Sequence, residues 1–442
     1  MRKRCQMLRP HPVGVMALFL SIALLFTGCL KKKAPLEYRN IPPETFIFIE
    51  GETDTVTAKQ KICWYGNDPD GKVVGFEWAI DDTSIKTYTE VNCSTFIFQS
   101  GAEPIVHFFY VWAIDDSGAV DTTPAMLKIP VINSPPQVFL DTYKVPPDTS
   151  FPVATFYWFG EDEDGNETIT GYRFRLDYWD EWTFVPPETT HITLRDIEPG
   201  ERSFMIQAFD EAGALSDTSI WTWTVKPATG EVLVVEDVGG DTTSTIFEHF
   251  LESEGVEFSI WHIRVDLPAS SQDIYSVINE LGFTTILWSS GDTCRIENIS
   301  SALEPYLDSE KNFLVSSKGL LGAELSDFIK EYFHVDTVPY VDKILLEDSI
   351  LIGEVEGYPD SLKVSAPIIA KVDGFEPDDS AETLYRGPQQ FLEKSSVALR
   401  YPRGGPARLV LFTFPLALTD GLGNVNDLLN YVLFNEFGVS HK

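Results

Sequence analysis

The sequence predicts a multidomain protein: two all-β sandwiches followed by an α/β three-layer domain with a mostly parallel sheet. Three observations carry this prediction. Residues 41–226 contain one series of motifs twice. From residue 231 the pattern changes to buried strands alternating with amphipathic helices. Ahead of both stands a basic, then apolar leader that ends at a cysteine.

In the leader, Arg2, Lys3, Arg4 and Arg9 form a basic head, and Val13 to Phe26 is an apolar run without charge. Thr27 and Gly28 then lead into Cys29. A basic head, a short apolar core and a small-residue cleavage site describe a secretory signal peptide. An uncleaved anchor is the alternative, since a spanning helix needs about 20 apolar residues. With its cysteine directly after the small residues, the segment resembles a bacterial lipoprotein leader. The resemblance implies that residues 1–28 are removed and that Cys29 carries a lipid such as palmitate. It also implies an extracytoplasmic protein, lipid-anchored to a bacterial membrane. Leu30, which is not acidic, favours the outer membrane or cell surface. Residues 29–40 read as a tether, in which Lys31, Lys32 and Lys33 meet anionic headgroups or are simply solvated.

The 442 residues suit about three domains, and 43% hydrophobic with 13% aromatic residues is ample for packed cores. A formal net charge of -34 excludes a nucleic-acid partner, because phosphate binding needs clustered Lys and Arg. It suits a surface kept soluble by self-repulsion. Of five cysteines, Cys5 leaves with the leader and Cys29 carries lipid. Cys63 and Cys93 share one module in an oxidising compartment and are a disulfide candidate, with two buried thiols as the alternative. Cys294 is left unpaired.

The repeat sets the modules at 41–132 and 133–227. Pro42-Pro43-Glu44-Thr45-Phe46-Ile47 returns 93 residues later as Pro135-Pro136-Gln137-Val138-Phe139-Leu140. Trp64-Tyr65-Gly66-Asn67-Asp68-Pro69-Asp70-Gly71 returns after 94 as Trp158 to Gly165. Ala113-Ile114-Asp115-Asp116-Ser117-Gly118 returns after 95 as Ala208 to Gly213. Three landmarks in order at near-constant spacing make an internal repeat. Aromatic and β-branched runs such as Val106–Trp112 and Arg202–Gln207, punctuated by Asp-Gly and Pro-Pro, suit an antiparallel sandwich. On these motifs the pair resembles the fibronectin type III and immunoglobulin-like modules of bacterial surface proteins. The acidic loops at Asp68 and Asp70, and at Asp162 and Asp164, are calcium candidates because closely spaced carboxylates suit a hard cation. Neither has EF-hand spacing, and Asp-Gly is ordinary turn chemistry. Trp179 and Trp182, beside Tyr178, are a sugar platform or packing material, packing being favoured.

In residues 231–442 the strand Val232–Asp237 ends in acids before Gly239-Gly240. A helix follows with Ile246, Phe247, Phe250 and Leu251 at helical spacing. Strands at 258–261, 284–288, 312–316 and 408–414 alternate with helices around 274–281, 299–307, 320–333 and 424–437. Alternation of this kind indicates a parallel sheet covered on both faces. Residues 335–400 read as an irregular insertion. The stretches Val232–Gly240, Ile286–Asp292, Phe313–Gly322 and Leu409–Pro415 resemble the class I glutamine amidotransferase-like, flavodoxin-like fold. That family places a nucleophilic cysteine on a strand-to-helix turn and a histidine downstream. Here the turn reads Val315-Ser316-Ser317-Lys318-Gly319, and no histidine stands near Phe414-Pro415-Leu416. The resemblance therefore implies a non-catalytic relative, with Ser316 and Ser317 the weak nucleophile candidates and His334 the nearest candidate base. Asp237, Gly239, Gly240 and Asp292 fall at strand ends, where ligands of open α/β sheets bind, although Gly for a turn and Asp for a helix cap explain them better.

These readings give a lipid-anchored cell-envelope protein with a non-enzymatic binding, adhesion or assembly role. Its partners would be a membrane, through Cys29, and an envelope protein or glycan; no cofactor is expected unless calcium. The alternatives are a surface hydrolase using Ser316 or Ser317, and a cation- or glycan-binding module array.

Overall fold

The computed structural model describes residues 39–49, 55–237, 242–388 and 395–440. Cys29, the leader, most of the tether, Gly239 and Gly240 lie outside the described residues. The chain forms two compact units, one holding the described residues up to Ile47 with Trp64–Asn92 and Tyr110–Met126, the other Phe48–Cys63, Cys93–Phe109 and Leu127–Lys442. The division passes through the first repeat.

The first repeat contains β1 (Glu44–Ile49), β2 (Lys59–Asn67), β3 (Val73–Ile80), β4 (Thr87–Thr89), β5 (Cys93–Ile97), β6 (Ile105–Asp115) and β7 (Ala125–Val131). They run β1-β2-β5 in one sheet and β4-β3-β6-β7 in the other. The second repeat contains β8 (Gln137–Leu140), β9 (Thr149–Ser150), β10 (Val153–Glu161), β11 (Ile169–Leu176), β12 (Thr183–Val185), β13 (His191–Arg195), β14 (Gly200–Asp210) and β15 (Ser219–Val225). Its sheets run β13-β10-β8 and β12-β11-β14-β15-β9. Between them Phe156, Trp158, Phe174, Phe204 and Trp223 interdigitate, with Phe156 stacked on Phe204 at 4.0 Å between ring centroids. Period-two side-chain alternation puts these rings inside and their neighbours outside.

The C-terminal region opens β16 (Val232–Asp237), α1 (Thr242–Ser253), β17 (Phe258–His262), α2 (Ser271–Asn279), β18 (Thr285–Ser290), α3 (Ser300–Asp308), β19 (Asn312–Ser317) and α4 (Asp327–Phe333). It continues with β20 (Val335–Leu346), β21 (Ile350–Gly353), β22 (Ser361–Lys363), β23 (Ile368–Pro377), β24 (Glu382–Arg386), β25 (Ser396–Tyr401), β26 (Leu409–Phe412) and α5 (Val425–Asn430). Successive β16 residues feed opposite cores: Val232 and Val234 face one, Leu233 and Val235 the other. Two-sided burial is why this strand reads as an unbroken apolar run. Ser270 caps α2 by accepting the Asp273 N–H at 3.4 Å, and Ser326 caps α4 by accepting the Ile329 N–H at 3.2 Å.

The expected mostly parallel sheet is corrected to a mixed one. β17, β16, β18, β19 and β26 pair in parallel in that order. From β26 onward the pairing is antiparallel through β25, β24, β21 and β22, within one eleven-stranded sheet. The segment expected as an irregular insertion supplies these strands. A parallel pair needs a crossover connection. The connections between β21 and β22 and between β25 and β26 are too short for a crossover, so these consecutive strands pair antiparallel.

The second repeat is packed into this region. Phe151 and Val153 belong to the core that holds Trp261, Phe283 and Ile286. Phe151 meets Trp261 and Phe283 edge-on at 6.4 and 5.9 Å.

Candidate functional site

The C-terminal ends of the parallel strands converge on Asp237, Ser290, Ser316 and Ser317, each at most 2% exposed. Asp237 accepts the Arg295 N–H at 2.6 Å and has the Arg264 guanidinium at 3.3 Å. Burial pushes its carboxyl above the usual range, against the pull of the Arg295 N–H and both arginines. Arg264 also donates to the Asp237 carbonyl at 2.5 Å and to the Thr293 carbonyl at 3.0 Å. Asp237 thus ties two loops together. Asp292 is not brought to it: half-exposed, it pairs with Lys318 at 2.8 Å, and chiefly that contact lowers its pKa.

Both serine hydroxyls are bonded to neighbours. Ser316 Oγ donates to the Phe414 carbonyl at 2.9 Å and accepts the Leu416 N–H at 3.1 Å. Ser317 Oγ accepts from Ser290 Oγ at 2.6 Å and from the Gly319 N–H at 3.1 Å. His334 lies at the other end of the strands, beside the start of β26. Its Nδ1 is 3.0 Å from both Asp378 and Ser380, and its ring stacks on Tyr401 at 3.6 Å. A nucleophile and an orienting carboxylate must use opposite ring nitrogens, so this trio is a turn-and-cap arrangement. It borders a cleft of about 540 Å³ with Lys311, Tyr332 and Arg408 in its wall.

Sequence reasoning missed that Cys294 joins the serine cluster from a neighbouring loop. Burial, the largest influence, pushes its thiol up to about 11, against hydrogen bonding from Ser290. A thiol held protonated is a poor nucleophile.

The acidic loops of the repeats receive the incoming chain. In the first module the Asn40 amide donates to Asp115 Oδ2 at 2.5 Å, and the Ile41 N–H reaches both Asp70 oxygens at 3.2 Å. In the second, Asn133 donates to Asp210 Oδ2 at 2.7 Å and the Ser134 N–H to Asp164 Oδ2 at 2.7 Å. The other Asp164 oxygen takes the Ala58 N–H. Gly118 and Gly213, both at φ 83°, turn the chain so that Asp115 and Asp210 can also accept the N–H groups of Ala119 and Ala214, at 2.7 and 2.8 Å. Asp68 Oδ1 accepts the Asp70 N–H at 3.3 Å, and Asp162 accepts the Asp164 N–H and the Thr168 hydroxyl. Among the described residues no group of three or more His, Cys, Asp or Glu is placed to hold a metal ion.

Cys63 and Cys93 face each other across β2 and β5 and form a disulfide. Trp179 packs on Phe174 in the second core. Trp182 lies under the Arg173 and Arg175 guanidinium groups at 4.8 and 5.0 Å.

No protein-family model and no curated protein matches the sequence. Solved structures to which the chain is similar are fibronectin-like and related modules. Those of Clostridium thermocellum CbhA share 15% identity over 41% of this chain and 95% of that one, with a TM-score of 0.20. A two-module fibronectin type III segment of chicken tenascin shares 14% over 41% and 99%, at 0.23. The PKD1 domain of Vibrio anguillarum Epp shares 17% over 21% and 98%, at 0.17. The assignment of β-sandwich modules rests on the strand pairing described above.

Proposed function

We propose that this is a lipid-anchored cell-envelope protein, held outside the cytoplasm of a bacterium by Cys29, with a binding, adhesion or assembly role and no enzymatic activity. The sandwich modules act as spacers and binding modules. The C-terminal region is a non-catalytic relative of amidotransferase-like, flavodoxin-like folds. The observation that carries the non-enzymatic reading is the wiring of Ser316 and Ser317. Both hydroxyls are buried and committed to neighbours, and His334 is turned to Asp378 and Ser380. The parallel order β17-β16-β18-β19-β26 supports the fold relationship, since doubly wound sheets place the first strand beside the second and third. Asp70 and Asp164 accept backbone N–H groups of the incoming chain, which supports a structural use of these two carboxylates.

Palmitate labelling of the wild type and Cys29→Ser in the native host tests the anchor: label on the wild type alone is expected, and equal label on both overturns it. Esterase and amidase assays of the wild type and a Ser316→Ala/Ser317→Ala variant test the rest. Turnover abolished by that variant would establish the hydrolase instead.

A further inference from the structure

Each repeat displays a cross-strand pair of stacked aromatic rings on its outer face, at equivalent positions. In the first, Phe46 and Tyr65 stack at 4.9 Å and 14°. In the second, Phe139 and Phe159 stack at 5.3 Å and 26°, directly opposite each other in the β8–β10 register. The exposures repeat as well: 36% and 49% in the first pair, 37% and 49% in the second. The core does not use these rings. Trp64 and Trp158, the adjacent residues, point inward at 1% and 2% exposure. Cross-strand aromatic pairs stabilise a sheet, but stabilisation alone does not account for what lies beside the second pair. Phe139 forms part of the wall of a cleft of about 610 Å³ whose rim carries Gln137, Asp217, Thr218 and Ser219, with Pro135 and Leu215 at its sides.

Among the described residues the cleft wall holds no lysine or arginine. It contributes a carboxylate, in a chain of formal charge -34. An anionic ligand is therefore repelled. An aromatic face beside an amide, a carboxylate and two hydroxyls suits a ligand with a C–H face and many hydroxyl groups. We propose that this cleft binds a neutral glycan. Phe139 stacks on a sugar ring, and Gln137, Asp217, Thr218 and Ser219 bond its hydroxyls; Phe46 and Tyr65 give the first module a second copy of the stacking platform. The proposal deepens the binding role argued above, and it rests on that reading only for access to glycans outside the cell.

The test is affinity electrophoresis of the full chain in mild detergent. Native gels contain hydroxyethylcellulose, xyloglucan, glucomannan or laminarin, with polygalacturonate as the anionic control. Retardation by at least one neutral polysaccharide and none by polygalacturonate is expected. Phe139→Ala should weaken the retarded interaction about tenfold, and Phe139→Tyr should retain it. Should Phe139→Ala misfold, Asp217→Ala and Gln137→Ala at the exposed rim replace it, and each should weaken binding with an unchanged melting temperature. The proposal fails if no neutral polysaccharide retards the protein, if only polygalacturonate does, or if folded rim and ring variants bind like the wild type. Failure here leaves Cys29 labelling unchanged, so the two readings fall separately.

Discussion

The two repeats solve one problem in different ways at one register position. Where Cys63 faces Cys93 across β2 and β5, the second repeat has Tyr157 facing His191 across β10 and β13. The first pair is a disulfide and the second an aromatic stack at 5.1 Å. The second repeat has further support at both ends. Asp164 accepts from Ala58 and Ser134 at one, while at the other Phe151 enters the C-terminal core. In the first repeat Asp70 is half-exposed and, among the described residues, accepts only from the Ile41 N–H. The difference teaches that a small sandwich can be stabilised by contact with neighbours or by a cross-link, and that the repeat with fewer described partners is the one that carries the cross-link.

The largest effect expected is at the second repeat's exit. Phe151 is 2% exposed between two large rings, and Phe151→Ala should cost about 3 to 5 kcal/mol, the range for deleting a buried aromatic side chain. Urea unfolding followed by tryptophan fluorescence checks this. A loss below about 1 kcal/mol would mean that packing does not support the second repeat, and the contrast would break. Next comes the cross-link. Replacing Cys63 and Cys93 with serine should cost about 2 to 4 kcal/mol, because the 30-residue separation they close regains its freedom in the unfolded chain. Calorimetry of wild type and variant should show that loss, with the Phe151 effect unchanged in the double background.

The acidic loops sharpen the same contrast at smaller scale. Asp164 is fully buried and holds two N–H groups. Asp164→Ala leaves both unpaired, and we expect a loss of about 2 to 3 kcal/mol. Asp70→Ala affects one longer, solvent-reached contact and should cost under about 1 kcal/mol. Paired urea titrations measure both; equal losses would show that the two loops carry equal load.

The repeat was legible because both copies need the same turn chemistry: Asp-Gly for the loop, and Gly118 and Gly213 for a positive φ that other residues rarely adopt. The role of the acidic loops was not. Their donors, Asn40 and Asn133, stand 75 and 77 residues from their acceptors, and a carboxylate cluster alone reads as readily as a cation site. The strand-end position of Asp237 was legible from its apolar run. Its arginine partners were not, because Arg264 and Arg295 arrive on loops with no periodic signal. β20 escaped for a related reason: only Val335 and Leu345 are fully buried among its twelve residues, so the apolar alternation that marks a strand is faint. The exposed stacked rings were present in the repeat landmarks themselves, but sequence gives no exposure.

Acidification should separate the two ends of the paired modules, and this is the smallest effect. The Asn40 amide, bonded to its charged form, holds Asp115 below the ordinary carboxylate value. A depressed pKa means stability present above the unfolded value and lost as pH falls through the folded one, so the first module's latch should weaken only below about pH 4. At the other end Asp273 accepts from the Thr155 N–H at 2.8 Å and from its hydroxyl at 2.5 Å. Burial nonetheless raises its pKa, the Thr155 bonds offsetting part of that. The native state then holds the extra proton between the unfolded value and the raised one, so stability falls as pH rises through that window. Lowering pH towards 4 should therefore strengthen the junction before it weakens the first latch. Melting curves from pH 7 to pH 3 for wild type, Asn40→Ala and Asp273→Asn resolve the two. Asp273→Asn should remove the gain on mild acidification, and Asn40→Ala should blunt the loss below pH 4. If both variants follow the wild-type profile, these carboxylates do not set the acid response of their modules.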